Sequence, residues 1–340
     1  MLKEASFSTV GRALMISAAV IIILSGMKAA SGLIAPFLMA IFVAIVCSPS
    51  LNYLRDKGVP NTIALCIVLL AIGLMGAMLA TWLSGSLTEL SATLPGYKVK
   101  LTILYQQLRE WLTGWNIALP EPRLLSVLSP DSLVSMFNRL LNGLSGVLGN
   151  ALIVFIAVLF LLVDSVRFPE KLKGVLENPD KSMPHFKHFT ETVVGYLALK
   201  SVASGITALC VAAMLWFFDF DFIALWTVLA FFLNFIPYLG SAIAAIAPIF
   251  IGVIDHSLWV AVSVAVGYIA INILVGQIIE TRLIGNKLNL SSFVVFVSLT
   301  FWGWILGPVG MFLSIPLTML VLIALQSSEK TKRYAALLQG

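Results

Sequence analysis

The stretch from Phe222 to Ile254 reads FIALWTVLAFFLNFIPYLGSAIAAIAPIFIGVI and contains no charged residue. A membrane-spanning α-helix needs about 20 mostly apolar residues, so this run is too long for one helix. Pro237 and Gly240 lie near its middle. Proline removes a backbone donor and clashes with the preceding helical turn. The run therefore predicts a broken helix, which is either a re-entrant hairpin or two tightly turned spans.

A second apolar run, Leu288–Gln326, is longer still and has Gly307, Pro308 and Gly310 near its middle. Either form of break gives each run an even number of membrane crossings. The first run then opens toward the outside and the second toward the inside. Two broken hairpins that face opposite sides are typical of transporters built from inverted repeats. The repeat is a hypothesis, because the similarity between the two runs is weak.

The composition of the whole chain agrees with a lipid environment. Hydrophobic residues make up 60% of the sequence and charged residues 11%, whereas a soluble globular chain has about 45–50% and about 25%. Further apolar runs are Ala13–Met27, Ala29–Ser48, Thr62–Leu83, Ala151–Val163, Ser201–Phe218 and Ser257–Ile279. The sequence therefore predicts an all-α polytopic membrane protein with about six to eight transmembrane helices. The broken segments are placed at 222–254 and 288–326.

The polar segments between the runs predict the organisation of the chain. We expect three transmembrane helices in 1–83, an extramembrane helical insertion at 84–150, a transport core at 151–326 with a cytoplasmic linker at 166–200, and a cytoplasmic tail at 327–340. With both termini in the cytoplasm, most of the 21 Lys and Arg residues fall on the cytoplasmic side. This is the orientation that the positive-inside rule favours.

The predicted insertion repeats apolar residues at helical spacing, at Leu101, Leu104, Leu108 and Trp111. One interpretation is a gating or subunit-contact element on the membrane surface. The other is a helical hairpin that packs the membrane domain together.

The sequence lacks the motifs of several enzyme classes. It has no G-x-x-x-x-G-K-[ST], H-E-x-x-H, G-x-S-x-G or C-x-x-C, so it predicts neither an ATP motor nor one of the hydrolases or redox enzymes that use these motifs. His185 and His188 have the i, i+3 spacing of a metal site, but no cysteine or third histidine accompanies them. We therefore expect no enzymatic activity, no cofactor and no metal.

Uncharged polar residues stand beside the first helix break. Asn234, Tyr238 and Ser241 place an amide and two hydroxyls around Pro237 and Gly240. A break at membrane depth frees backbone groups, which are tolerated where they line a cavity or bind a ligand. The alternative is a proline kink in which Asn234 bonds to a neighbouring helix.

A second group of polar residues follows in the next span. Asn272 precedes Gln277 and Glu280, and helical spacing predicts that the last two share a face. Glu280 could bind a coupling cation or proton, or pair with Arg282 or Lys287 at the interface. The predicted substrate-binding residues are Asn234, Pro237, Tyr238, Gly240, Ser241, Asn272, Gln277, Trp302, Gly307, Pro308 and Gly310, with Glu280 as the coupling residue.

Several of these residues belong to motifs that resemble a known family, the autoinducer-2 exporter family of bacterial transporters. The motifs are Leu233–Ser241 (LNFIPYLGS), Glu280 with Ile284-Gly285, Phe301–Trp304 (FWGW), Gly307–Met311 (GPVGM), Ile315–Leu317 (IPL), and the pair Leu94-Pro95 in the insertion. The resemblance runs from the first span to the last. One departure is Thr281, which stands where family members often have proline.

The resemblance implies export of autoinducer-2, a small oxygen-rich quorum-sensing molecule, across the bacterial inner membrane. It also implies a homo-oligomer, with a pentamer as the expected form, and an elevator-like movement of the hairpins against a scaffold. Some members of the family resemble sodium–proton antiporters instead. Two further hypotheses are a passive pore at the centre of an oligomer and a membrane anchor for the 84–150 segment. We expect no binding to nucleic acid.

Overall fold

The structure is a computed structural model that describes residues 9–114, 149–165, 179–280 and 290–326, together with Ser135 and Gly174. In these ranges the helices are α1 (Thr9–Ala29), α2 (Ser31–Asp56), α3 (Asn61–Gly114), α4 (Ala151–Ser165), α5 (Pro179–Phe217), α6 (Ile223–Leu233), α7 (Gly240–Ile251), a π-helical segment π1 (Gly252–His256), α8 (Leu258–Ile271), a second π-helical segment π2 (Asn272–Ile279), α9 (Ser292–Leu306), α10 (Pro308–Phe312) and α11 (Ser314–Gln326).

The described part of the chain is helical and holds no β-strand. Four of its helices are long and apolar enough to cross a membrane, namely Ser31–Asp56, Asn61–Leu104, Thr190–Phe217 and Leu258–Ile279. Shorter apolar helices include both arms of each predicted hairpin. The predicted fold class, an all-α polytopic membrane protein with two broken-helix segments, is confirmed.

Helix α3 does not end at Leu83, where the sequence analysis placed the last residue of the third span. It continues for 54 residues to Gly114, with Pro95 inside it. Such a helix is about 80 Å long, whereas the hydrocarbon core is about 30 Å thick. The third span and the start of the predicted 84–150 insertion are therefore one continuous helix that extends beyond the bilayer. The proposed division of the chain into domains remains a prediction.

The half of α3 beyond the predicted span has a buried seam. Its members recur every three or four residues, at Leu83, Leu87, Leu90, Leu94, Tyr97 and Leu101. This spacing is that of coiled-coil seams, in which a helix packs along its partners at a shallow angle. The seam belongs to one apolar core with residues of α5, α6, α7 and α8. Leu104 and Trp111 are exposed, so only Leu101 of the predicted apolar stripe has a described side chain in that core.

The chain divides into two compact units, and each unit contains one of the broken hairpins. One unit combines Met1–Val46, Ile156–Val194 and Leu288–Gly340, and the other combines Cys47–Phe155 and Gly195–Lys287. In the first, the Lys28 ammonium lies 4.2 Å from the centroid of the Trp304 ring, a cation–π contact between α1 and α9.

The first hairpin turns between α6 and α7. Its break is a tight turn in which Ile236 donates to the Leu233 carbonyl (2.8 Å) and Gly240 to that of Ile236 (3.1 Å). Tyr238 holds φ at +60°, a left-handed conformation that is uncommon without glycine. Several backbone N–H groups near the proline are thus bonded within the turn. The sequence predicted unpaired backbone N–H and C=O groups at this break. Some of these groups are instead paired, because the turn forms short-range hydrogen bonds in place of the helical ones.

The second hairpin turns between α9 and α11 through the short helix α10. Gly307 has φ +66° and ψ −147°, a conformation that is essentially restricted to glycine. Gly310 follows within α10 and is buried, and an added Cβ there would lie 2.0 Å from the Trp302 carbonyl oxygen. Gly240 has the same role in the first hairpin, with the Leu233 carbonyl oxygen at 1.9 Å. Each hairpin needs a glycine at this position because a backbone carbonyl oxygen of its first arm occupies the place of a Cβ.

The end of the first hairpin that lies away from its turn is linked to α3 by an ion pair. Lys100 Nζ lies 2.5 Å from Asp255 Oδ1, and the two side chains are 55% and 15% exposed. Water competes for both partners of such a pair, so its net contribution to stability is small.

We therefore expect Lys100→Met to lower the free energy of unfolding by less than about 1 kcal/mol. Thermal unfolding of the purified variant in detergent measures this change. A loss several times larger would show that the pair fastens α3 to the hairpin.

Candidate functional site

A stripe of polar side chains runs along the buried face of α5. Lys200, Ser204 and Thr207 are 4%, 0% and 4% exposed, and their spacing of four and three residues puts them on one helix face. They lie within the apolar span Thr190–Phe217. A charged residue inside such a span is costly and is usually functional.

Lys200 forms an ion pair with Glu280. Its Nζ lies 2.6 Å from Glu280 Oε1, and the two side chains are only 5% and 19% exposed. Arg282 and Lys287, the two partners expected for this carboxylate from the sequence, lie outside the described residues. Lys200 was expected in the cytoplasmic linker, whereas the structure buries it in α5, where Glu280 compensates its charge.

One helical turn further along α5, an amide network begins. Asn234 donates from Nδ2 to Ser204 Oγ at 3.1 Å. The Ser241 hydroxyl lies 2.9 Å from Asn272 Oδ1 and 3.4 Å from Asn234 Oδ1. The network joins α5, the hairpin turn, the start of α7 and the start of π2. The structure thus brings three of the predicted site residues together, and it adds Ser204.

Hydrogen-bonding capacity in this network is not used up. A serine hydroxyl has one proton, and that of Ser241 makes its shorter bond to Asn272. The Asn234 carbonyl oxygen has only the long 3.4 Å contact with Ser241 and two lone pairs, so it keeps capacity as an acceptor, although the residue is only 6% exposed. A carboxamide can accept and donate at once, so the network is suited to hydroxyl groups on a ligand.

The π-helical segment π2 separates Asn272 at its start from Glu280 just after its end. Such segments insert a wider turn and often occur at functional sites. Gln277 is exposed and Glu280 is partly buried. The prediction that the two residues share a face assumed α-helical spacing, which the π-helical segment does not follow. Gly276 makes room for the amide, since a Cβ there would lie 3.2 Å from Asn272 Oδ1.

Two other predicted residues of the first hairpin serve its shape. The Tyr238 side chain is 59% exposed and lies outside the buried network, while its backbone makes the turn. Pro237 accepts from the Leu239 N–H at 2.6 Å. A role for either residue in binding stays a prediction.

The remaining predicted residues belong to the unit that holds the second hairpin. There Trp302 Nε1 donates to Thr318 Oγ1 at 3.2 Å and so joins α9 to α11. Thr318 donates in turn to the Ser314 carbonyl. Gly307, Pro308 and Gly310 form the turn between the arms, with Pro308 as the first residue of α10. Their place in a binding site also stays a prediction.

The site residues predicted from the sequence did not include Lys200 and Ser204. Lys200 directly precedes the apolar run Ser201–Phe218, and Ser204 lies in its first turn. A signal for them exists in the sequence: Tyr196, Lys200, Ser204, Thr207 and Val211 continue one helical stripe across the assumed boundary. Among the described residues, no three His, Cys, Asp or Glu side chains gather as a metal site would need. The side chains of His185 and His188 are outside the described set.

Comparison with known proteins places the chain in a family. The sequence model described as "AI-2E family transporter" matches residues 16–330, which is most of the chain and includes every residue of the ion pair and the amide network. The chain belongs to the AI-2E transporter family. The resemblance inferred from the broken-helix motifs is therefore confirmed.

Individual relatives match this chain over almost its whole length. A Haemophilus influenzae protein is 37% identical over 96% of both chains. It is named as a transport protein, and its name gives no solute. The AI-2 transport protein TqsA of Escherichia coli K12 is 36% identical over 94% of this chain and 92% of its own. YhhT of the same organism, also named for transport alone, is 32% identical over the same shares. Membership makes this chain a membrane transporter by family.

Proposed function

We propose that this chain is a secondary transporter that exports a small polar metabolite, with autoinducer-2 as the solute, across a bacterial inner membrane. The network of Ser204, Asn234, Ser241 and Asn272 is the observation that carries the proposal. The name of the relative TqsA supports the choice of solute. The lack of a phosphate-binding loop in the sequence supports a secondary mechanism.

The chemistry of the network favours an uncharged, hydroxyl-rich solute. Its groups are carboxamides and hydroxyls, which bind neutral donors and acceptors in a dry site. A site that hydrogen-bonds a substrate hydroxyl also rejects analogues without it, because its own polar groups would be left unpaired. The Asn234 oxygen is the acceptor that a solute hydroxyl would reach first.

The network also supports an alternating-access mechanism. The described arrangement is closed around Asn234, so the first hairpin must move relative to α5 before a solute can replace the Ser204–Asn234 bond. In an elevator-like cycle the solute takes over bonds that the side chains make to one another when the site is empty. Further parts of the proposal are the pentameric assembly, the cytoplasmic termini and a role of Trp302, Gly307, Pro308 and Gly310 in binding the solute.

Sodium–proton antiport is less well supported by the geometry. A coupling carboxylate should be open to a cation in part of the cycle, yet Glu280 is held at 2.6 Å by Lys200. Glu280 therefore enters the proposal as a group whose charge is balanced within the chain.

The direct test is transport by purified protein in liposomes. We expect autoinducer-2 loaded inside to leave faster than from protein-free liposomes, with saturation at high concentration. Equal rates with and without protein would remove autoinducer-2 as the solute. Single-channel conductance in planar bilayers would show that the protein is a pore and would contradict the proposed transport mechanism.

The variant Asn234→Ala is expected to slow this transport at least about tenfold, because it removes the donor to Ser204 and the carbonyl oxygen that a solute hydroxyl would reach first. Initial rates in liposomes measure the change. Ser263→Ala is a matched control: Ser263 is exposed on α8 and donates only to the Trp259 carbonyl. If both variants transport equally well, the amide network is not the solute site.

A further inference from the structure

The ion pair between Lys200 and Glu280 has an unusual setting. The lysine side chain is 5% exposed within an apolar span, and its ammonium donates to one oxygen of the carboxylate at 2.6 Å. Removing both charges from water costs several kcal/mol per ion, which the attraction between them only partly repays. An apolar pair would serve packing at lower cost, so the charges point to a role in function.

We propose that the Lys200 ammonium is a tethered substitute for a soluble cation at Glu280, and that it makes the transport cycle independent of sodium. The inference rests on the proposed secondary transport and specifies its coupling.

The surroundings of Glu280 are those of a cation site in which the ion has been replaced. Glu280 follows π2 directly and is itself helical, and π-helical segments widen a helix and often occur at functional sites. A carboxylate is an oxygen ligand of the kind that binds hard cations such as sodium. The position on Oε1 that such an ion would occupy is held by Lys200 Nζ.

Lysine suits this role better than arginine does. Its ammonium is a compact point charge with three donors on a flexible stem, which resembles a hydrated monovalent ion more closely than a planar guanidinium does. Because the stem is covalently attached to α5, the cation cannot be lost to either side. The carboxylate is then neutralised at each stage of the cycle without an ion from solution.

Sodium binding by the purified protein tests the inference without any solute. Lys200→Ala removes the ammonium and leaves space beside Glu280. We expect this variant to bind one radiolabelled sodium ion per chain, and its Tm to rise by about 2 °C or more in sodium chloride relative to choline chloride. The wild type and Lys200→Arg, which keep a tethered cation, should show neither effect. The double variant Lys200→Ala/Glu280→Gln should lose both.

Three results would overturn the inference. The first is sodium binding to the wild type that Glu280→Gln abolishes. The second is a folded Lys200→Ala protein that binds no sodium. The third applies if Lys200→Ala does not fold in choline chloride. Sodium chloride during extraction should then restore its folded yield. A variant that stays unfolded in both salts would contradict the inference.

The outcome is separable from that of the proposed function. If the wild type fails to carry autoinducer-2 while Lys200→Ala gains sodium binding, the solute is wrong and the tethered cation stands. If autoinducer-2 transport by the wild type requires a sodium gradient, the solute stands and the tethered cation is wrong.

Discussion

Replacing Lys200 by methionine is expected to lower the free energy of unfolding by about 3–5 kcal/mol, the usual cost of leaving one charge of a buried pair without its partner. Methionine preserves most of the length and apolar stem of lysine, so the change is mainly one of charge. The Glu280 carboxylate, 19% exposed, would then be left without its partner in a poorly hydrated place. Thermal unfolding in detergent at neutral pH, in choline chloride to exclude sodium, measures the loss.

Two variants separate this charge effect from a loss of packing. Lys200→Met/Glu280→Gln removes both charges, and we expect it to recover most of the stability, since replacing a whole buried pair is often neutral. Lys100→Met breaks a pair of similar length whose lysine is 55% exposed, and we expect it to cost little. A double variant as unstable as Lys200→Met would mean that the lysine stem, not its charge, matters.

Alanine at Gly240 or Gly310 is expected to prevent its hairpin from closing. An added Cβ would lie 1.9 Å from the Leu233 oxygen in the first case and 2.0 Å from the Trp302 oxygen in the second. Real carbon–oxygen contacts do not come so close, and both oxygens belong to backbone that cannot rotate away. The cost should exceed the about 1–3 kcal/mol of ordinary overpacking. The folded fraction after gel filtration in detergent measures the effect.

Gly76→Ala is the matched control for both glycine variants. Gly76 lies within α3, and a Cβ there meets nothing within 4 Å. Because glycine is unfavourable in a helix interior, this change should stabilise the protein by about 0.5–1 kcal/mol. Full folded yield and normal transport by Gly240→Ala would show that the first hairpin turns differently from the described structure.

Local backbone chemistry explains how much of the fold could be predicted. Pro237 and Gly307 interrupt their helices through local effects. Pro237 lacks a backbone N–H, and Gly307 has a backbone conformation that residues with a side chain rarely adopt. The breaks were therefore visible without the structure. The spacing within π2 was not, because Gln277 and Glu280 were placed with α-helical periodicity and the wider turn leaves no signature in the residues.

The missed half of the site depends on contacts between distant parts of the chain. Lys200 and Glu280 are 80 residues apart in sequence, and Ser204 and Asn234 are 30 apart. A lysine at the edge of an apolar run is usually taken to mark the end of a membrane span. Its partner, Glu280, is needed to show that Lys200 lies inside the fold. The heptad-like seam from Leu83 to Leu101 was overlooked for a similar reason: it crosses an assumed boundary that the helix itself does not have.

The amino-acid pattern alone is enough to show a polytopic helical membrane protein with two helix breaks at 222–254 and 288–326, and the motifs are enough to identify the family. These features depend on length, hydrophobicity and backbone geometry, which act within a single segment. The closed turn at the first break and the bonds that join Asn234 to Ser204 and Ser241 become visible only in the folded chain. The same is true of the pair between Glu280 and Lys200, because burial and pairing arise only when separate helices pack.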